Sequence, residues 1–189
     1  MKKTILTLII LLNLLVVYGQ NDNQTKTFRG FQTGILGLWI NQENKLYSQL
    51  YVRSEIGLDA GLILGEGFNT YKNAFLTPVI TIEPRYYYNL NNRIKKNKFT
   101  NFNSANFVTL SLKYHPDWFV ISSENNINVI EQLSIIPKWG IKRSIAQSNF
   151  NYEIGLGLGK VYYFSKKYGY SRNYSDTKLD LHIRIGYNF

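Results

Sequence analysis

The chain has 189 residues, 22 Lys and Arg against 12 Asp and Glu, a formal net charge of +10 and no cysteine. That excludes a disulfide framework, a thiolate metal site and a lipid-modified cysteine anchor, so an exported domain must hold itself by burial and backbone pairing. Aromatic residues make up 15% of the chain, a content high for a soluble protein and normal for a barrel with aromatic girdles.

Lys2 and Lys3 precede an apolar run from Ile5 to Val17, broken only by Thr7 and Asn13, and Val17-Tyr18-Gly19 places a small residue before Gln20. This is the pattern of a secretory signal peptide over residues 1–19, and the run falls short of the about 20 residues that a membrane helix needs. Residues 20–189 are then one domain. Export argues against nucleic acid as the partner of the basic charge. The phosphates and acidic sugars of lipopolysaccharide, met at the headgroup level, fit it better.

Strand-like runs follow with turn signals between them. The first is Phe31–Ile40, closed by a polar turn at Asn41-Gln42-Glu43-Asn44. The second is Leu46–Leu64, with Leu50, Val52, Ile56, Leu58, Ala60 and Leu62 on one face and Tyr51, Arg53, Glu55, Gly57, Asp59 and Gly61 on the other. A Gly- and Asn-rich loop spans Gly65–Ala74. Thr77–Leu90 sets Ile80, Ile82, Pro84, Tyr86 and Tyr88 against Thr81, Glu83, Arg85 and Tyr87. Pro84 has no N–H, so a bulge or a missing rung belongs there. A polar, basic loop covers Asn91–Asn103, including Arg93-Ile94-Lys95-Lys96-Asn97-Lys98. Asn106–Tyr114, Asn128–Ile141 and Tyr152–Phe164 come next. The last strand, Lys178–Phe189, alternates strictly: Leu179, Leu181, Ile183, Ile185, Tyr187 and Phe189 on one face, with Lys178, Asp180, His182, Arg184, Gly186 and Asn188 on the other.

An apolar face opposite a charged face is the signature of a transmembrane barrel, whose strands in a single bacterial chain are even in number. The fold class expected is therefore all-β, an antiparallel up-and-down transmembrane β-barrel of about eight strands. Seven runs are clear. The eighth is placed at Asp117–Ser123, beyond the turn His115-Pro116, which puts both termini in the periplasm and the basic 91–103 segment outside the cell. A strand before Phe31 is the alternative, and it exchanges the sides of loops 65–76 and 91–103.

A narrow eight-stranded barrel is filled by side chains. The inward parity gathers Arg53, Glu55, Asp59, Glu83, Arg85, Lys113, Glu153, Asp180, His182 and Arg184. Charges in such a space must pair, because an isolated buried ion costs several kcal/mol, so these ten are expected to form a salt-bridged plug. Gly155, Gly157 and Gly159 lie on the same face and leave room for long side chains from across the barrel. They lack the lysine-serine pair and following helix of a phosphate loop.

His115, Asp117 and Trp118 mark a possible loop site. Ser111…His115…Asp117 also matches the residue types of a barrel lipid hydrolase, but residues four apart on a strand are about 13 Å apart, beyond hydrogen-bond reach. No catalytic residue is assigned. Neither clustered ligands nor the spacing of a calcium loop points to a metal, and no cofactor is expected.

The signal peptide ending before Gln20, the alternating strands and the closing Arg184-Ile185-Gly186-Tyr187-Asn188-Phe189 resemble small outer-membrane β-barrel proteins of the Bacteroidota. Tyr187 and Phe189 look like the signal that barrel-assembly machinery reads. The resemblance implies an eight-stranded barrel inserted into the outer membrane by that machinery, with membrane lipid and lipopolysaccharide as its surroundings. A monomer without enzymatic activity is expected, in a structural or surface-interaction role. A lipid A-modifying hydrolase and a small-solute pore are the alternatives.

Overall fold

The computed structural model describes residues 27–64, 71–123, 127 and 129–189. The segment read as a signal peptide lies outside them. The strands are β1 (Thr27–Gly34), β2 (Gly37–Tyr47), β3 (Leu50–Leu64), β4 (Tyr71–Tyr86), β5 (Asn106–His115), β6 (Ile121–Ser122), β7 (Gln132–Ser144), β8 (Phe150–Tyr163) and β9 (Tyr174–Asn188). All pair antiparallel, each long strand with its neighbours in sequence, and β1 pairs β9 to close the sheet. The two-residue β6 continues the lane of β5 along β4. The fold is thus a closed up-and-down barrel of eight staves. Closure removes the unpaired edges that an open sheet must otherwise protect.

The stagger of the barrel follows from register. From Tyr187 the ladder passes through Phe31, Ile40, Ile56, Ile80, Tyr114, Leu133 and Tyr162 and returns to β9 at Ser175. The shear is therefore twelve residues, which sets the tilt and width of the interior.

The eighth stave is β1, not Asp117–Ser123. Phe31–Ile40 contains a two-residue hairpin turn at 35–36, flanked by Gly34 and Gly37, and Gly37 has a φ of 142°. Asn41-Gln42-Glu43-Asn44 is not a turn: it continues β2, with Asn41 and Glu43 buried. The chain reverses instead at 48–49. Beyond β5, Pro116 has no N–H to extend the ladder, and only Ile121–Ser122 pairs again. The 91–103 segment consequently lies at the end that carries Thr27 and Phe189. Leu64 and Tyr71, which flank 65–70, lie at the other, loop-bearing end, as do the described residues between β5 and β7.

Pro84 stays in register with Val52 on β3, while the β4–β5 ladder skips from Ile82 to Arg85. The missing N–H is thus a missing rung on one side only. Thr109 Oγ1 donates to the Pro84 carbonyl across that gap at 2.8 Å.

The connection 87–105 holds a short helix α1 (Leu90–Lys95) and a 3₁₀ turn (Asn101–Asn103). It folds across the Phe189 end. Leu90 and Ala105 pack there on Tyr51, Tyr87 and Phe107. Tyr87 meets Tyr51 and Phe107 edge-on at 5.5 and 5.6 Å, which closes that end with a small aromatic core.

Candidate functional site

The interior is charged from this aromatic stopper to the loop end. All ten charged or titratable residues of the inward parity face it, and nine of them are buried, with Asp59 half-buried at the mouth. Together with Glu43, Lys138 and Lys142, the ion-paired set among the described residues comprises six carboxylates (Glu43, Glu55, Asp59, Glu83, Glu153, Asp180) and six cations (Arg53, Arg85, Lys113, Lys138, Lys142, Arg184), and Lys178 stands half-buried on the same face of β9 at the mouth. The formal charge of this set is zero before the two histidines are counted.

The pairs form one continuous chain. Nearest the stopper, Glu43 accepts from Lys142 Nζ at 3.0 Å, from Asn103 Nδ2 at 2.9 Å and from Tyr87 Oη at 3.0 Å. In the middle, Arg85 lies 2.5 Å from Glu83 and 2.8 Å from Glu153, with its guanidinium over the Phe107 ring at 4.2 Å. Arg53 bonds Glu55 at 2.6 Å and donates to Gln32 at 2.6 Å. Arg184 reaches Glu55 at 2.7 Å and stacks over Trp39 at 3.8 Å. Lys138 bridges Glu83 at 3.0 Å and Asp180 at 3.4 Å, and His182 Nε2 lies 3.2 Å from Glu153. At the mouth, Asp59 accepts from Lys113 at 3.1 Å and from Trp39 Nε1 at 2.7 Å, and lies 3.0 Å from His115 Nε2.

Glycines on the inward face make room for bulky partners on adjacent strands. A Cβ on Gly155 would sit 2.4 Å from the His182 ring, and one on Gly157 would sit 2.2 Å from Lys138 Cγ. His182 is the register partner of Gly155 on β9, and Lys138 that of Gly157 on β7. The space is filled from the neighbouring strand rather than from across the barrel.

His115, Asp117 and Trp118 do not form one site. His115 ends β5 facing inward, where Asp59 is its acidic partner. Asp117 pairs instead with Lys167 at 2.9 Å, Lys167 also binds Glu131 at 2.5 Å, and Trp118 is exposed. The bond from Lys167 holds the Asp117 carboxyl below its usual range, and Glu131 and Asp117 together raise the Lys167 ammonium. Glu131 also accepts from Tyr114 Oη, and its N–H donates to Tyr168 Oη at 3.1 Å. Beside this clamp a cavity of about 720 Å³ is lined by Trp118, Phe119, Val120, Ile130 and Tyr170 among others. Ser111 also faces inward, but its Oγ has no hydrogen-bond partner among the described residues, and His115 Nε2 is engaged by Asp59. A serine–histidine bond is not formed.

Tyr187 and Phe189 lie outside the wall at the closing seam, with Tyr187 against Phe150 at 5.0 Å and the Phe189 N–H donating to Arg29 O at 2.9 Å. The fold and interior together define a closed eight-stranded barrel with a charge-balanced, filled lumen. Comparisons with protein families, with curated proteins and with solved structures found no match.

Proposed function

We propose that this is an integral outer-membrane β-barrel with a closed, salt-bridged lumen, acting as a structural or surface-interaction protein rather than as an enzyme. The observation that carries the reading is the outer wall. Leu179, Leu181, Ile183 and Ile185 on β9, Ile154, Leu156 and Leu158 on β8, Val108, Leu110 and Leu112 on β5, and Leu38 and Ile40 on β2 all face outward, at exposures from 38% for Leu112 to 65% for Leu179. Each such side chain gains about 1.5–3 kcal/mol on leaving water, so a wall of them needs an apolar surrounding. From Leu179 to Phe189 is about 34 Å of strand. A tilt near 45° makes that about 25 Å along the axis, the height of a membrane barrel's apolar band.

Tyr86, Tyr88, Trp139, Phe150, Tyr152, Tyr187 and Phe189 cluster outside the Phe189 end, and Tyr162 lies outside toward the loop end. Such rings favour both interfaces of a bilayer. Short turns face the periplasm in these proteins. The Phe189 end carries two of them, 48–49 and 145–149, against one at 35–36 on the other end, and this supports a reading with the Phe189 end in the periplasm although 87–105 also lies there. Lipopolysaccharide would then meet the loop end, and Tyr187 and Phe189 would be read by the barrel-assembly machinery from the periplasm.

The test is electrophoretic mobility of the outer-membrane fraction with and without boiling. A compact, faster band that converts on heating is the expected result. Recovery in the soluble periplasmic fraction with no shift would mean that the apolar wall meets another protein surface instead.

A further inference from the structure

The outer wall is not uniformly apolar. Near the Phe189 end a depression of about 500 Å³ opens on β2, β3 and β4, a size within the range of ligand pockets. Its floor is at Ser54, a short side chain in register between Gln42 and Ile82. Ile40, Ile56 and Ile80 line the half toward the barrel's middle, and Arg29, Gln42 and Asn44 line the half toward the Phe189 end. The polar half is ordered: Arg29 Nε donates to Gln42 Oε1 at 3.0 Å, and Gln42 Nε2 donates to Asn44 Oδ1 at 3.1 Å. The terminal nitrogens of Arg29 make no hydrogen bond among the described residues, and the side chain is exposed.

The geometry points to a site for one anionic phospholipid, its acyl chain along the isoleucines and its phosphate on the Arg29 guanidinium. This rests on the membrane reading above. The orientation matches a lipid of the leaflet at the Phe189 end: the apolar half runs toward the bilayer's middle and the cation stands at headgroup height. Charge complements the assignment. Outside the lumen, the described charged side chains of that end are Arg29, Lys45, Arg93, Lys95, Lys96, Lys98 and Arg143, with no Asp or Glu among them. Guanidinium with phosphate is a bidentate pair that ammonium does not reproduce.

The experiment is native mass spectrometry of the detergent-purified barrel with phosphatidylglycerol, phosphatidylcholine or lipid A added at equal concentration. The native protein should retain one phosphatidylglycerol in preference to phosphatidylcholine. R29Q should reduce that preference about five-fold, the effect of one basic residue at an anionic surface. S54F should fill the floor and reduce retention of both lipids. The heat-dependent band shift of each variant reports that it still folds. A native barrel that shifts on heating yet retains no lipid, prefers lipid A, or appears as a dimer without lipid overturns the site and leaves the membrane reading standing. Retention unchanged in folded R29Q and S54F also overturns it. Loss of the band shift in the native protein sinks the membrane reading instead.

Discussion

Arg85 shows how the interior is held at the level of single side chains. It is fully buried between Glu83 and Glu153, with Phe107 beneath it. Replacing a buried pair by apolar groups can be neutral, but removing one partner strands the other charge and costs about 3–5 kcal/mol. Arg85→Ala should therefore lower by that amount the unfolding free energy obtained from a urea titration of the folded band in vesicles. A change below about 1 kcal/mol, the level of an exposed pair, would show that water already screens the cluster. Ten members of this network are legible because polar residues repeat at every second position of runs read as strands. Glu43 is not legible, since Asn41-Gln42-Glu43-Asn44 has the composition of a turn. Lys138 and Lys142 carried a usable signal: they alternate with Pro137, Trp139 and Ile141 on the parity opposite the apolar face. Asn103 reaches Glu43 from a connection, where no periodicity points to it.

At the scale of elements, the connections resist reading more than the staves do. The β1–β2 turn is made of Ile35 and Leu36, both exposed and apolar, so only the flanking glycines mark it. Conversely, Asp117–Ser123 has the look of a strand, yet only Ile121–Ser122 pairs and the rest is a connection tied down by side chains. Its clamp is the trio Asp117, Lys167 and Glu131. Asp117 has a depressed pKa in the folded state, so its contribution is present above the ordinary carboxylate value of about 4 and is lost as pH falls through the folded value. The raised Lys167 behaves oppositely: its contribution is present below about 10.4 and is lost as pH rises through the folded value. The clamp is thus whole at neutral pH. Both groups meet water, so the pair is worth at most about 1 kcal/mol. Hydrogen exchange at the Glu131 amide should speed up by a few-fold in Asp117→Asn at pH 7. The effect of the same substitution should fade as pH falls through the lowered folded value of the native carboxyl, where that carboxyl is itself protonated. Equal protection in the two proteins at pH 7 would assign the order of this loop to its apolar packing instead.

For the whole molecule, the shear of twelve and the charge balance belong together. A shear larger than the strand number widens the interior, and long charged side chains fill what aliphatic ones would leave open. Six carboxylates pair with six cations there, so the ion-paired set adds no net charge to the interior. The ion-pair chain runs without interruption from Glu43 to Asp59, and the Tyr51, Tyr87 and Phe107 stopper lies below it. Native barrels in a planar bilayer should accordingly show no conductance steps. The Arg85→Ser, Glu153→Ser double variant removes two side chains of opposite charge from the middle of the chain. It leaves Glu83 with Lys138, Glu43 with Lys142 and Arg53 with Glu55. Stability should therefore fall less than in Arg85→Ala, because the double variant removes one charge of each sign and keeps the paired set balanced, whereas the single one leaves a buried carboxylate in excess. Short conductance steps should appear in this variant only if the stopper opens as well. Steps in the native protein would show that the pairs exchange partners fast enough to pass ions, and the lumen would then be a pore. Silence in both would place the barrier at the aromatic stopper rather than in the ion-pair chain, and Tyr87→Ala in the double-variant background would be the substitution that opens it.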